Sequence, residues 1–257
     1  MRKNFFKKVI LTSAFVFIIT SENYKVMAND LCKTKSSELI TNNMTSDTLN
    51  DNVINSMNPE IAHEAVEKID LLKKMYPHIT DSELNSFLIN YLNNNYSTVN
   101  NYQLKSFGLP YENKLNEKEK ELFNSNVLKG VRALNYAYNS TVRAEARFVS
   151  SSLNQGNGDA FRHCLWNALM TKDLGASYAK QWGDAHEYGQ SGIDKEMDLY
   201  NNSMGRRIVN SIDGAMNSPY WQPRLEAEII NNIDNGNLKI IVNNRLVWSN
   251  SSGKKYE

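Results

Sequence analysis

Two separate stretches of this chain carry the same unusual helical stripe, and that pairing limits what the chain can fold into. Laid on a helix, Asp159, Arg162, His163, Trp166 and Asn167 fall at i, i+3, i+4, i+7 and i+8, positions that share one face. Asp198, Asn201, Asn202, Gly205 and Arg206 repeat the spacing. The remaining sides are apolar, with Phe161, Cys164, Leu165 and Leu169 in the first stretch and Leu199, Met204, Ile208 and Ile212 in the second. A solvated stripe is ordinarily rich in Lys and Glu, and these stripes hold neither. Buried without partners, such groups cost on the order of several kcal/mol each. The stripes therefore pair with one another as a packing network, hold a ligand between them, or face solvent. Between them lies Asp184-Ala-His186-Glu187, a histidine with adjacent carboxylates. It reads as a general acid/base with an orienting partner, or equally as part of a metal site. Gly205 costs about 1 kcal/mol against Ala inside a helix, which points to close approach of a backbone or ligand there. Gly158 allows a sharp turn into the first helix, and Asp159 is placed to cap it.

The surrounding pattern predicts a mainly α protein, a helical bundle with a small C-terminal β-hairpin. Residues 31–58 read as a polar loop. Pro59 opens a helix that Pro77 stops, and Thr80 or Asp81 caps the next, with Leu84, Phe87, Leu88 and Leu92 on its buried side. Residues 93–113, with Gly108 and Pro110, read as loop and domain boundary. Asn116 caps a further helix, Val127, Val131, Leu134 and Tyr138 line another, and 150–158 is a Ser, Asn and Gly-rich break. Helices then span about 159–174, 176–188, 196–216 and 225–233. Two β-runs, 238–242 and 245–249, flank Asn243-Asn244, a two-residue hairpin turn because Asn tolerates positive φ. The organisation expected is a signal peptide over 1–28, a polar segment with helices over 29–113, and a site-bearing helical domain over 114–257.

The N-terminus reads as a secretory signal. Arg2, Lys3, Lys7 and Lys8 precede an uncharged apolar run at 9–20, and Val26-Met27-Ala28 is a small-x-small cleavage site. The run is shorter than the roughly 20 residues a bilayer span requires. Cleavage after Ala28 removes five basic residues and one acid, leaving 24 Lys+Arg against 27 Asp+Glu. A mildly acidic exported chain holds no nucleic acid by bulk charge, so any anionic ligand needs a local site. Asparagine supplies 36 of the 257 residues, which weakens any argument resting on one Asn. Cys164 sits on an apolar side and reads as a buried free thiol, with a bridge to Cys32 the alternative. His63, His78 and the charged run at 117–121 read as surface features or satisfied histidines. The sequence contains no P-loop, no G-x-S-x-G elbow and no H-E-x-x-H.

The motifs D-A-F-R-H at 159–163 with Trp166-Asn167, His186-Glu187, Met197-Asp198, Asn201-Asn202 and Gly205-Arg206 resemble the signature of an uncharacterised bacterial secreted domain, over about 115–249. That group is similar to the lipocone assemblage, helical domains related to Wnt and serum amyloid A. The resemblance implies hydrolysis or transfer at a phosphate-bearing head group of a phospholipid or polyprenyl lipid, in a toxin-like secreted effector with room for an immunity partner. It implies His163 and His186 as acid, base or nucleophile, Asp159, Glu187 and Asp198 as their orienters, and Arg162 and Arg206 as phosphate binders. Asn167, Asn201, Asn202 and Trp166 complete the implied substrate contacts. Cys164 stands where the signature favours a small residue. Two other readings stand beside this one. The first is a hydrolase holding a divalent metal through His163, His186, Glu187 and an Asp. The second is a non-catalytic module whose polar network specifies packing.

Overall fold

Side-chain caps set most of the helix starts. In helix α1 (Asp51–Ser56) the Asn50 side chain accepts from the Asn52 N–H, and Val53 and Ile54 are buried. The expected polar loop is therefore helical at its end, because those two residues find a core. In α2 (Pro59–Met75) Asn58 accepts from the Ile61 N–H and Pro59 opens the first turn. Thr80 and Glu83 form a capping box at the start of α3 (Asp81–Tyr96). This helix runs about a turn past Leu92 into residues read as loop. There Asn93 accepts from Asn50 N at 2.8 Å and donates to Thr48 O at 3.0 Å, so its polar side chain is satisfied within a helix.

The computed structural model describes residues 48–97, 114–212 and 220–255, all within one unit, Ser46–Glu257. The signal peptide, Cys32 and the Gly108–Pro110 stretch fall outside the described residues. The second half continues with α4 (Glu117–Ser125), α5 (Val127–Arg147), a 3-10 turn (Ser150–Ser152), α6 (Asn157–Leu174), α7 (Ala176–His186), α8 (Gly192–Ser211) and α9 (Trp221–Asp234). An antiparallel hairpin follows, β1 (Lys239–Val242) and β2 (Arg245–Trp248), with Lys239 opposite Trp248 and Val242 opposite Arg245. Asn243 and Asn244 take φ of 52° and 56°, the two left-handed residues that a tight hairpin with native twist requires.

Helix α6 is the centre of this half. All residues from 157 to 171 are buried, the polar stripe included. It lies along α8, its most extensive partner, and also against α5, α7, α9 and β1. Helices α2 and α3 pack against α5, and α1 packs against α3. Phe148, Phe161, Leu165, Ile208, Leu225 and Ile229 belong to one apolar cluster between α5, α6, α8 and α9. Buried Glu226 on α9 is paired with Arg143 and Arg147 of α5, so its charge is neutralised inside the packing. Cys164 is a free, fully buried thiol whose pKa burial raises.

The hairpin is tied to the start of α6. Asn201 accepts from Lys239 N and donates to Lys239 O, both at 2.9 Å, imitating a neighbouring strand. The Ile241 N–H donates to Gln155 O at 2.8 Å. Gln155 (φ 60°) turns the chain into α6, and its N–H donates to Asp159 Oδ2 at 2.7 Å. The helix begins at Asn157, so Asp159 anchors its first turn from inside it.

Gly205 fixes how closely α8 approaches α6. A Cβ there would stand 2.0 Å from Cys164 O and 2.9 Å from Cys164 C, both backbone atoms that cannot swing aside. Gly205→Ala is expected to destabilise the fold by about 2 kcal/mol or more, read as a lowered chemical-denaturation midpoint. A midpoint within error of wild type would contradict this packing.

Candidate functional site

A cavity of about 280 Å³ lies where α4, α6, the end of α7 and α8 meet. Asp159, Arg162 and His163 from α6, His186 from α7 and Asp198 from α8 line it. So do Asn116 and Glu119 at the start of α4, with Lys114, Gln190 and Asp194 among the other lining residues. One end of each stripe, Asp159, Arg162 and His163 on α6 and Asp198 on α8, thus meets His186 there.

The arrangement on α6 follows from its helical spacing. Asp159 Oδ1 accepts from Arg162 Nη2 at 2.6 Å, one turn on. The same Nη2 lies 2.9 Å from His163 Nε2. That ring nitrogen is also 3.6 Å from Asp159 Oδ1 and 3.4 Å from Asp198 Oδ1. His163 is 2 % exposed. Burial, then the positive charges of Arg162 and His186, hold its pKa well below the usual histidine value, so the ring is neutral at pH 7. Burial drives the Asp198 carboxyl the other way, up to about 8, helped by the charges of Asp159 and Glu187. At neutral pH the proton of this pair therefore sits on Asp198.

His186 is set by a residue that the sequence hides. Its Nδ1 lies 2.8 Å from Glu119 Oε1. Glu119 Oε2 also accepts from Asn116 N at 2.9 Å in a capping box, while the Asn116 amide donates to Ala185 O at 2.7 Å. The start of α4 is thereby locked to the end of α7. Burial opposes charge on His186, but the Glu119 hydrogen bond and the Glu119 and Glu187 charges outweigh it and raise the pKa. The rings of His163 and His186 stand 6.1 Å apart between centroids.

The charged run at 117–121 is thus only partly solvated. Glu117 and Glu121 are exposed, whereas Glu119 is 2 % exposed and belongs to the cavity. The capping-box spacing, Asn116 followed three residues later by Glu119, is the signal that marks it. Gln155 Nε2 also donates to Asp194 Oδ1 at 2.6 Å, and no motif in the sequence marks that pair.

Other site candidates lie apart from the cavity lining. Trp166 is buried, its N–H donated to Ala133 O at 2.9 Å and its ring edge 5.1 Å from the His186 ring. Asn201 is committed to β1. Asn167, Asn202 and Arg206 form a second polar group between α6 and α8. Glu187 is wholly buried, and neither carboxyl oxygen has a hydrogen-bond partner among the described residues. Burial raises its pKa, against the pull of His186 and Arg162. The carboxylate hydrogen-bonded to His186 is therefore Glu119. His63, outside the motifs, bonds Asn135 Oδ1 at 2.8 Å and stacks on Tyr138.

Asp159, His163 and Asp198 place one donor atom each within 4.8 Å of one another, a spacing that suits a divalent cation. In this arrangement the Arg162 guanidinium touches two of those three atoms and supplies the positive charge itself.

Asp198 provides a test of the burial. A folded-state pKa of about 8 against the ordinary aspartate value of 3.8 means that ionising Asp198 destabilises the folded chain progressively from about pH 4 to pH 8. Asp198→Asn removes that ionisation. Its melting temperature relative to wild type should rise across this window, by at least about 2 °C at pH 8.5 over its value at pH 4. A difference that stays flat with pH would show a solvated, normally ionised carboxylate.

Residues 120–237 match the family model of a domain of unknown function (DUF6973). No curated protein and no solved structure matches the chain significantly. The matched span contains both stripes and the His186 segment but begins one residue after Glu119 and stops short of the hairpin. Over that span the chain is similar to an uncharacterised domain family.

Proposed function

We propose that this chain hydrolyses or transfers a phosphate-containing head group of a phospholipid or polyprenyl lipid, with His163 and His186 as its acid–base pair. The observation that carries this reading is geometric: two histidine rings 6.1 Å apart line one cavity, His163 beside the Asp198 carboxyl and His186 beside Glu119. Their opposed environments suit the two roles, His163 pushed toward the neutral form that takes a proton and His186 toward the charged form that gives one. Arg162 provides a guanidinium suited to phosphate oxygens, with Lys114 also on the lining.

In the proposed step a phosphate oxygen draws the Arg162 N–H away from His163 Nε2 and frees that lone pair. His163 then removes a proton from the attacking water or acceptor hydroxyl as its oxygen bonds to phosphorus. The bond to the leaving oxygen breaks, and His186 protonates that oxygen. The motif resemblance to the lipocone assemblage supports the lipid-linked class, and the N-terminal signal pattern supports export as a toxin-like effector. Convergence of Asp159, His163 and Asp198 favours a second reading, a metal-dependent hydrolase in which Arg162 swings aside for a divalent cation.

The test is mass spectrometry of a bacterial lipid extract incubated with purified protein, scanned for released head groups. His163→Gln is expected to slow release by about 10²- to 10⁴-fold while keeping the wild-type melting temperature. Activity should fall at low pH as His163 gains its proton, below 6.5, and at high pH as His186 loses its own, above 6.5. Activity abolished by a chelator and restored by a divalent ion would replace the histidine pair with the metal reading. No release, together with loss of stability in His163→Gln, would reduce the network to a packing device.

A further inference from the structure

The charges on the cavity lining are unevenly matched. Four carboxyl side chains line it, Glu119, Asp159, Asp194 and Asp198. Glu119 Oε1 lies 2.8 Å from His186 Nδ1, and Asp159 Oδ1 lies 2.6 Å from Arg162 Nη2. The two carboxyls on α8 have no such partner. Asp194 Oδ1 accepts from the neutral Gln155 amide at 2.6 Å. Asp198 is 8 % exposed, and its buried Oδ1 accepts no hydrogen bond among the described residues. That oxygen lies 3.4 Å from His163 Nε2, a nitrogen that Arg162 Nη2 already approaches to 2.9 Å. Among the described residues neither Asp194 nor Asp198 forms an ion pair with Lys or Arg. Positions 194 and 198 are one turn apart on α8 and share a face.

Two carboxyls turned to one cavity, with no cation of the chain to answer them, suit a cationic group on the ligand. The same lining carries Arg162 and Lys114, which suit an anionic one. The two signs stand close together, since Arg162 Nη2 and Asp198 Oδ1 flank the same ring nitrogen. We propose that the head group taken by this cavity is an amino-alkyl phosphate of the phosphoethanolamine kind, its phosphate on Arg162 and its primary ammonium between Asp194 and Asp198. An ammonium has three N–H donors to share between two carboxyls. A quaternary ammonium has none and is held by aromatic faces, and the described lining includes no Trp, Tyr or Phe. An added carboxylate, as in phosphoserine, would meet the acidic face of α8. Size agrees: about 280 Å³ is small for a ligand pocket, and Met197 is the one apolar side chain on the described lining, so a polar head group suits it and an acyl chain does not. Burial opposes charge on Asp198, and an adjacent cation favours it, so the ligand would supply what the chain does not. The phosphate end rests on the head-group reading above, whereas the ammonium end rests on α8 alone.

Titration calorimetry of the full chain at pH 7.5 with O-phosphoethanolamine, glycerol 3-phosphate, phosphocholine and ethanolamine tests the assignment. Phosphoethanolamine is expected to bind about tenfold more tightly than glycerol 3-phosphate or phosphocholine. Asp194→Asn keeps an oxygen for Gln155 and should bring that ratio close to one, as should Asp198→Asn. Equal wild-type affinity for phosphoethanolamine and glycerol 3-phosphate overturns the ammonium site and leaves the phosphate reading standing. Equal affinity for phosphocholine overturns the assignment to a primary amine. Ethanolamine bound as tightly as its phosphate ester, and lost in Asp194→Asn, keeps the ammonium site and removes the phosphate. A ratio unchanged in both folded variants overturns the proposal, and binding of none of the four overturns it together with the head-group reading. The wild-type ratio decides even where a variant fails to fold.

Discussion

A helix enclosed on every side can carry charge only if its neighbours complete each polar group, and α6 is such a helix. Its apolar positions build the core with α5, α8 and α9. Its polar positions are met by neighbouring side chains, Asp159 by Arg162, His163 by Asp198, and Asn167 by Asn202 and Arg206. The rest of the molecule is arranged around that requirement. Helix α8 brings the matching stripe, Gly205 lets it come close enough, and the end of α7 supplies the second histidine.

The same enclosure separates the two histidines chemically. Each ring is buried, so each would lose its charge on that ground alone. At His186 Glu119 sits at Nδ1 and favours the charged form, whereas the nearest charge to His163 Nε2 is the Arg162 cation. Burial and Arg162 together hold His163 toward its neutral form, whereas Glu119 and Glu187 outweigh burial at His186, and that difference gives the cavity two unlike ends. Asp198 holds the proton that His163 does not, and Glu187 adds a second buried carboxyl to the same neighbourhood.

The helical class, the helix starts at Pro59, Thr80 and Asn116 and the Asn243–Asn244 turn were legible because each is a local rule with a residue-level signature. The convergence of the stripes was legible for a different reason: their composition made a solvated face implausible. What escaped was long-range. Glu119 lies 67 positions from its partner and sits in a run that resembles a surface helix start. Gln155 and Asp194 contribute one hydrogen bond across 39 positions, with no repeated pattern to announce it. Asn201 and Asn202 are neighbours in sequence, yet one serves a strand and the other an asparagine of α6, because adjacent helix positions point about 100° apart.

The contact between Ile241 and Gln155 binds the end of the fold to its middle. Gln155 shapes the first turn of α6 through Asp159, so the geometry around the buried arginine depends on a strand formed some 80 positions downstream along the polypeptide. During synthesis the helices can gather before the hairpin exists, but the turn that seats Asp159 lacks its clamp until β1 docks. The chain would therefore pass through its early folding with the polar cluster only loosely assembled, and closing the hairpin would be the event that completes it.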